Sequence, residues 1–361
     1  MRRSRLLALL ALLGLLVAPG AARAQAHGGH PHGTPPPGTR THGVYPAAGA
    51  PGARSYALYV PATLQTRHRQ TVPLLVYLHG CEQTADDAAV GSRLEQLADE
   101  KGVLVLFPEQ TRPANSSYPL ADGNGAGCWN WFHPDHQARG SGEPATLAGM
   151  TRDVMSRYPV DTRRVWLAGV SAGADMATTL AVAYPELYTA VAPIAGCAYR
   201  TCTDADGSAG YAMMGTRARV VPAFIVQSST DMVNNAAMGA TAVAQWLGTD
   251  DLADDGTANQ SMPRVPSSVS THDAERGTPP GDPCVGNFRF PCVGGAAGLK
   301  SYPYTLARYD GRHGRSVVEV LVIHGANHAY TGGNPAGTFV DPVGPDLAHA
   351  MYAFFAAHPR R

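Results

Sequence analysis

The chain has 361 residues, 44% hydrophobic and 16% charged, and is formally neutral at pH 7. That is enough for one large α/β domain or two smaller ones. Neutrality argues against nucleic acid as the main partner.

The chain opens Met1-Arg2-Arg3-Ser4-Arg5, continues with an apolar run over residues 6–17 and reaches Ala22-Arg23-Ala24. A basic start, an apolar centre and an A-x-A site make a secretory signal peptide, residues 1–24, with cleavage expected after Ala24. A retained anchor helix is the alternative, but the run falls short of the roughly 20 apolar residues a span needs. No later segment reads as transmembrane, so no membrane partner is expected after cleavage. Four arginines and no acids leave with the signal, so the mature chain is mildly acidic. The six cysteines then read as disulfides formed in an oxidising, extracellular or periplasmic compartment. Sequence separation favours Cys197–Cys202 and Cys284–Cys292 as local loops and leaves Cys81 with Cys128, although other pairings are possible. The spacing fits no zinc finger, and no metal is expected.

Residues 25–53 are rich in His, Pro, Gly and Ala and read as a flexible leader. His27, His30 and His32 could hold a metal weakly, but such a tract is more often a solvated tail. From Arg54 the pattern becomes that of a folded domain, 54–361. Residues 55–60 form the first expected strand, stopped by Pro61. Residues 73–78, nearly all apolar, form a second, buried on both faces, and end in His79-Gly80-Cys81. A helix is expected over 87–101, with Leu94 and Leu97 on one face and Gly102 as its left-handed cap. A strand follows at 103–107. Residues 109–147 are long, polar and Gly-rich around Cys128-Trp129-Asn130-Trp131-Phe132, and a loop of that length is usually functional.

After a helix at 150–158 comes the stretch VWLAGVSAG, residues 165–173. An apolar strand runs into Gly169-Val170-Ser171-Ala172-Gly173, a G-x-S-x-G pentapeptide, and then an alanine-rich helix over 172–183. Strand, sharp turn and helix are the context of a nucleophile elbow. A Cβ at Gly169 or Gly173 would collide with the crowded strand and helix. The turn sets the Ser171 hydroxyl over a helix N-terminus, where free N–H groups favour developing negative charge. An ordinary tight turn is the competing reading.

Short strands are expected at 190–194 and 220–226, the latter followed by Gln227-Ser228-Ser229-Thr230-Asp231. Residues 249–300 read as an irregular insertion. The last strand is 317–323 and the last helix 346–357. Strands alternating with helices imply an α/β fold with a mostly parallel sheet covered on both faces, and ligands at the carboxyl ends of its strands.

An alcohol needs a base to become a nucleophile. On such a fold the order is nucleophile, acid, histidine. Asp231 follows a strand and is the expected acid. Asp204 and Asp206 read as turn residues, and Asp250 and Asp251 sit further from any strand. His324 and His328 both follow the last strand. His328, on the loop beyond Gly325, is free to reach Ser171, whereas His324 reads as a hydrogen-bonded structural histidine. The oxyanion hole should use the N–H of Ala172 and, from the loop after the earlier strand, that of Cys81. A Cys81–Cys128 bridge would fix that loop and hold Trp129 and Trp131 beside the site as an acyl floor, core packing being the rival reading.

The segments LVYLHGCEQTADD, FPEQ, CWNWF, GEPATLAGM and VWLAGVSAGADMA together resemble the poly(3-hydroxybutyrate) depolymerase family of esterases. That family is close to the secreted feruloyl and acetylxylan esterases of the α/β-hydrolase fold. The similarity covers about residues 55–196 and resumes at Asp231, at GANHAYTGG and at DPVGPD. It implies a Ser171–Asp231–His328 triad with an oxyanion donor at Cys81. The chain departs from the family in having Gln227-Ser228-Ser229 where a strand ending in His-Gly is common, and Tyr330 where tryptophan is usual after the base. Tyr330 joins Trp129 and Trp131 as expected substrate-contacting residues. The expectation is a secreted serine esterase without cofactor, acting on small, oligomeric or polymeric esters. No appended substrate-binding module is recognisable, which favours soluble esters over films. The rivals are a non-catalytic binding protein on the same fold and a serine peptidase.

Overall fold

The computed structural model describes residues 37–46, 52–66, 70–112, 124–278, 298–312 and 314–360. The expected signal peptide, the histidine tract and the Cys284–Cys292 pair lie outside the described residues.

Among the described residues, ten strands join one sheet. In chain order they are β1 (Thr39–Tyr45), β2 (Arg54–Val60), β3 (Val72–Leu78), β4 (Leu104–Pro108) and β5 (Val160–Val170). Then come β6 (Ala190–Ile194), β7 (Ala223–Ser228), β8 (Ser268–His272), β9 (Tyr304–Asp310) and β10 (Ser316–Ile323). The spatial order is β1-β2-β4-β3-β5-β6-β7-β10-β9-β8. The six inner strands from β4 to β10 run parallel, and two antiparallel strands extend each edge. This is the α/β-hydrolase type of sheet.

The inner strands are apolar because both of their faces are covered. Every residue of β3, β4, β6 and β7 is buried. Alternate side chains point to opposite faces of a strand, and β3 shows it. Leu74, Val76 and Leu78 pack with Leu147 and Met150 of the helix Gly142–Arg157 and with Met176 and Leu180 of the helix Ala172–Ala183. Leu75 and Tyr77 pack on the other face with Leu94 and Leu97 and with Met351 and Phe355 of the helix Leu347–Ala357. Each large apolar side chain so buried contributes roughly 1.5–3 kcal/mol.

Several boundaries differ from the sequence reading. The leader does not extend to residue 53: β1 lies inside it, paired antiparallel with β2 from Thr39↔Val60 to Tyr45↔Arg54. Its side chains are mostly exposed, so the ladder and polar anchors hold it rather than apolar burial. Arg40 bonds both carboxylate oxygens of Glu95 at 2.6 and 2.7 Å, and the Gly38 N–H meets the Asp99 carboxylate at 3.0 Å. The helix expected at 87–101 is two, Ala85–Ser92 and Leu94–Lys101, broken at Arg93, whose φ is 57°. Gly102 does cap the second in the left-handed region. The helix expected at 150–158 begins eight residues earlier, at Gly142. The strand expected at 220–226 is β7, which carries Gln227 and Ser228 into the sheet. The 249–300 insertion is not wholly irregular. Its start completes the helix Ala236–Asp255, and β8 pairs with β9 at the sheet edge. All five β8 residues are exposed, so no apolar pattern marked it.

Candidate active site

β5 ends at Val170 and the helix Ala172–Ala183 starts two residues later, leaving Ser171 alone at the turn with φ 55° and ψ −126°. A non-glycine residue holds such a conformation only where its surroundings over-determine it. Here they do. The Ser171 N–H donates to the Ile194 carbonyl at 2.9 Å, and its carbonyl accepts from the Ala174 and Asp175 N–H groups at 2.8 and 3.1 Å. The flanking glycines are required by space: a Cβ at Gly169 would sit 2.4 Å from the Gly173 carbonyl oxygen, and one at Gly173 only 2.2 Å from that of Leu78.

β7 and β10 are parallel neighbours in the register Ser228↔Ile323. The loops after them therefore leave the sheet side by side, one carrying Asp231 and the other His328. One Asp231 oxygen accepts the Val233 and Asn234 N–H groups at 2.8 and 2.9 Å. The other lies 2.8 Å from His328 Nδ1. His328 Nε2 lies 2.9 Å from Ser171 Oγ. A carboxylate only accepts, so Nδ1 carries the ring proton and Nε2 keeps a lone pair toward the serine hydroxyl. Asp231 and His328 are both buried. His324 faces elsewhere: its Nε2 meets Thr305 Oγ1 of β9 at 2.8 Å, and its N–H donates to the Pro303 carbonyl at 2.9 Å. Gly325, with φ 101°, turns the chain between the two histidines.

The loop after β3 rests on the elbow: a Cβ on Gly80 would lie 3.4 Å from Ser171 Cβ. Its first residue, His79, is fully buried. Its Nε2 accepts the Gln110 N–H at 3.0 Å, which leaves Nδ1 to donate to the Gly80 carbonyl at 2.7 Å. Burial pushes the His79 pKa down to about 4, so the ring stays neutral. Disulfides join Cys81 to Cys128 and Cys197 to Cys202. The segment after Cys128 is held from below by Glu143, a buried carboxylate accepting from the Asn130 N–H at 2.7 Å and its side-chain amide at 3.0 Å. The Gln110 amide donates to it as well. In the first turn of the elbow helix, burial raises the Asp175 pKa to about 8, against the Cys197 N–H donated to it at 2.7 Å.

A cleft of about 190 Å3 opens over Ser171. Cys81, Gln83, Val170, Val233, Ala329 and Phe339 wall it, with His328 at its side. The expected acyl floor is not there. Trp129 is fully buried, its indole N–H donating to the His79 carbonyl at 3.0 Å. Trp131 packs half-buried against the core and edge-on to Phe132. Tyr330 is buried edge-on to Tyr77, with its hydroxyl donating to the Ser92 carbonyl at 3.0 Å. None of the three walls the cleft. The sequence reading passed over Gln83, Val233 and Phe339. Gln83 stands within the segment LVYLHGCEQTADD and Val233 two residues beyond Asp231, so proximity in sequence is the available signal. Among the described residues, no cluster of three or more His, Cys, Asp or Glu is arranged to hold a metal.

An elbow serine, a buried acid after β7 and a histidine after β10, set over the carboxyl ends of parallel strands, mark the chain as an α/β-hydrolase. The Esterase PHB depolymerase family matches residues 54–264, and the chain belongs to that family. It is 34% identical over 153 residues to poly(3-hydroxyalkanoate) depolymerase C of Paucimonas lemoignei, covering 42% of this chain and 34% of that protein. It is 28% identical over 185 residues to feruloyl esterase B of Thermothelomyces thermophilus, covering 51% and 58%. The chain thus spans less than two thirds of either relative. The acetyl xylan esterase from Aspergillus awamori shares the fold, with a TM-score of 0.58 at 17% identity over 88% of this chain and 99% of that one.

Proposed function

We propose that this protein is a secreted serine esterase that cleaves carboxylic esters through an acyl-enzyme. The observation that carries the reading is the hydrogen-bond chain from Ser171 Oγ through His328 to Asp231, at the floor of an open cleft. Ser171 Oγ attacks the ester carbonyl carbon while His328 Nε2 takes the hydroxyl proton. The C–O bond to the leaving alcohol then breaks, and His328 returns that proton to the departing oxygen. Water repeats the sequence on the acyl-enzyme and releases the acid. Asp231 holds the imidazole in the tautomer the step requires and favours the imidazolium as it forms. The N–H groups of Cys81 and Ala172 receive the negative charge that develops on the carbonyl oxygen. No cofactor enters the scheme.

The signal peptide reading, with cleavage after Ala24, and the two disulfides support export. No helix among the described residues is long and apolar enough to cross a membrane. The family membership supports ester rather than amide substrates, and the mostly apolar cleft walls suit an uncharged acyl group. Soluble and oligomeric esters are expected to be turned over faster than a polyester film.

The test is incubation of the purified protein with a short p-nitrophenyl ester and a serine-directed phosphonate, beside Ser171→Ala. Turnover and labelling by the parent, both absent from the variant, are expected. No turnover by the parent, or turnover undiminished in Ser171→Ala, sinks the reading. A panel of hydroxybutyrate oligomers, a feruloyl ester, an acetylated sugar and a polyester film then ranks the substrates.

A further inference from the structure

The loop that carries the Cys81 N–H consists of consecutive peptide planes, and each is clamped. A peptide unit is planar and trans, so its N–H points opposite to its carbonyl. In the unit joining His79 to Gly80, the carbonyl accepts the Trp129 indole N–H at 3.0 Å and the N–H donates to Gln83 Oε1 at 2.8 Å. In the unit joining Gly80 to Cys81, the carbonyl accepts from His79 Nδ1 at 2.7 Å and from the Gln83 main-chain N–H at 3.4 Å. Holding that carbonyl fixes where the Cys81 N–H points. Gln83 contributes to both clamps. Its side chain also reaches the segment that ends in Phe339: Nε2 donates to the Thr338 carbonyl at 2.7 Å, one residue before Phe339. Gln83 is buried and belongs to the cleft wall.

We propose that Gln83 is a positioning residue that aims the Cys81 N–H at the ester oxygen and ties the oxyanion loop to the Thr338–Phe339 wall. The proposal rests on the Ser171 reading above. Three features carry it. The Gly80 N–H is already committed to Gln83, so Cys81 supplies the loop's donor to substrate. Gly80 lies against Ser171, so a turn of this peptide is felt at the reacting atom. The carboxamide presents an acceptor to Gly80 and a donor to Thr338 at once, which an ionised carboxylate cannot do. Glutamate in its place keeps the acceptor, but when ionised sets its second oxygen against the Thr338 carbonyl. Protonated, it regains a donor.

Gln83→Met and Gln83→Glu test this, with kcat and KM for a short p-nitrophenyl ester measured from acid to mildly alkaline pH. Outright loss of an oxyanion donor costs about 100- to 1,000-fold in kcat. Loss of its aim in Gln83→Met is expected to cost about 10- to 100-fold in kcat, with KM changed less than about threefold. Gln83→Glu should be similarly slow at neutral pH, and its kcat relative to the parent should climb as the pH falls and its carboxyl takes a proton. If Gln83→Met does not fold, the pH profile of Gln83→Glu decides alone. Parent-like kcat in a folded Gln83→Met, a loss confined to KM, or a Gln83→Glu ratio flat with pH overturns the proposal while leaving the esterase reading intact. An inactive parent, or an active Ser171→Ala, would remove the reading beneath it instead.

Discussion

The surroundings of Ser171 and of His328 are built by different means. At Ser171 the constraint is steric: two glycines four residues apart, carbonyl oxygens of the elbow itself and of the end of β3 where any Cβ would go, and a helix that begins at the next residue. At His328 the constraint is polar and distant. Its ring is held by Asp231, 97 residues earlier, and that carboxylate is steadied by main-chain N–H groups of its own loop. A steric site is written in adjacent residues. A polar one is written in the pairing of strands. The first should fail by unfolding when altered, the second by losing chemistry while staying folded.

The largest effect expected on that contrast comes from the proposed base. His328→Ala should lower turnover at least about a thousandfold, close to 4 kcal/mol in the barrier, with little change in melting temperature. A folded His328→Ala enzyme with parent-like turnover would remove it from the reaction and promote His324. Gly173→Ala is the matching lesion on the steric side. Its new Cβ would meet backbone oxygens of Leu78 and His79 at 2.2 and 2.5 Å, so the elbow or β3 must move. A loss on the order of 3 kcal/mol is expected, with a lowered urea midpoint. A parent-like midpoint would show that the elbow has slack.

The next prediction uses two buried groups flanking the elbow whose protons pull in opposite directions. His79 titrates near 4 when folded and near its ordinary 6.5 when unfolded, so the unfolded chain binds more protons in that window and stability rises with pH across it. Asp175 titrates near 8 when folded against 3.8 ordinarily. The folded chain then holds the extra proton, and stability falls as the pH rises from 3.8 toward 8. Each slope approaches about 1.4 kcal/mol per pH unit. They oppose one another below pH 6.5, and above it only that of Asp175 remains. Asp175→Asn keeps an acceptor for the Cys197 N–H and should gain stability over the parent as the pH rises toward 8. Denaturant midpoints that shift in parallel with pH for parent and variant would contradict this. The smallest effect is at the second histidine. His324→Ala gives up a hydrogen bond to Thr305 and should cost about 1–2 kcal/mol in stability while sparing turnover.

The same contrast explains what the sequence disclosed. The elbow was legible because its glycines, serine and flanking strand and helix are contiguous. The meeting of Asp231 and His328 beside Ser171 was legible because each follows an apolar strand and chain order restricts the choice. The two tryptophans were misplaced because nearness to Cys128 says nothing about which way an indole turns. Trp129 turned inward to give its N–H to the His79 carbonyl. Tyr330 did the same toward Ser92. β1 escaped notice because what holds it comes from far along the chain, at Glu95 and Asp99. The break at Arg93 follows the pair Gly91-Ser92, a marker that the helical reading of 87–101 overrode.

The parallel pairing of β7 with β10 carries a consequence for how the chain would assemble the proposed triad. Ser171 lies 157 residues from His328 in sequence, and both loops meet only once β10 has docked in register beside β7. Such non-local contacts form late, because the intervening chain must be closed before they are rewarded. A slip of two residues would leave the same side chains facing inward and yet displace His328 by about 7 Å. A chain can therefore hold its helices, its elbow and most of its core and still be inert. If the proposed triad is the catalytic one, turnover reports on the alignment of the last strand.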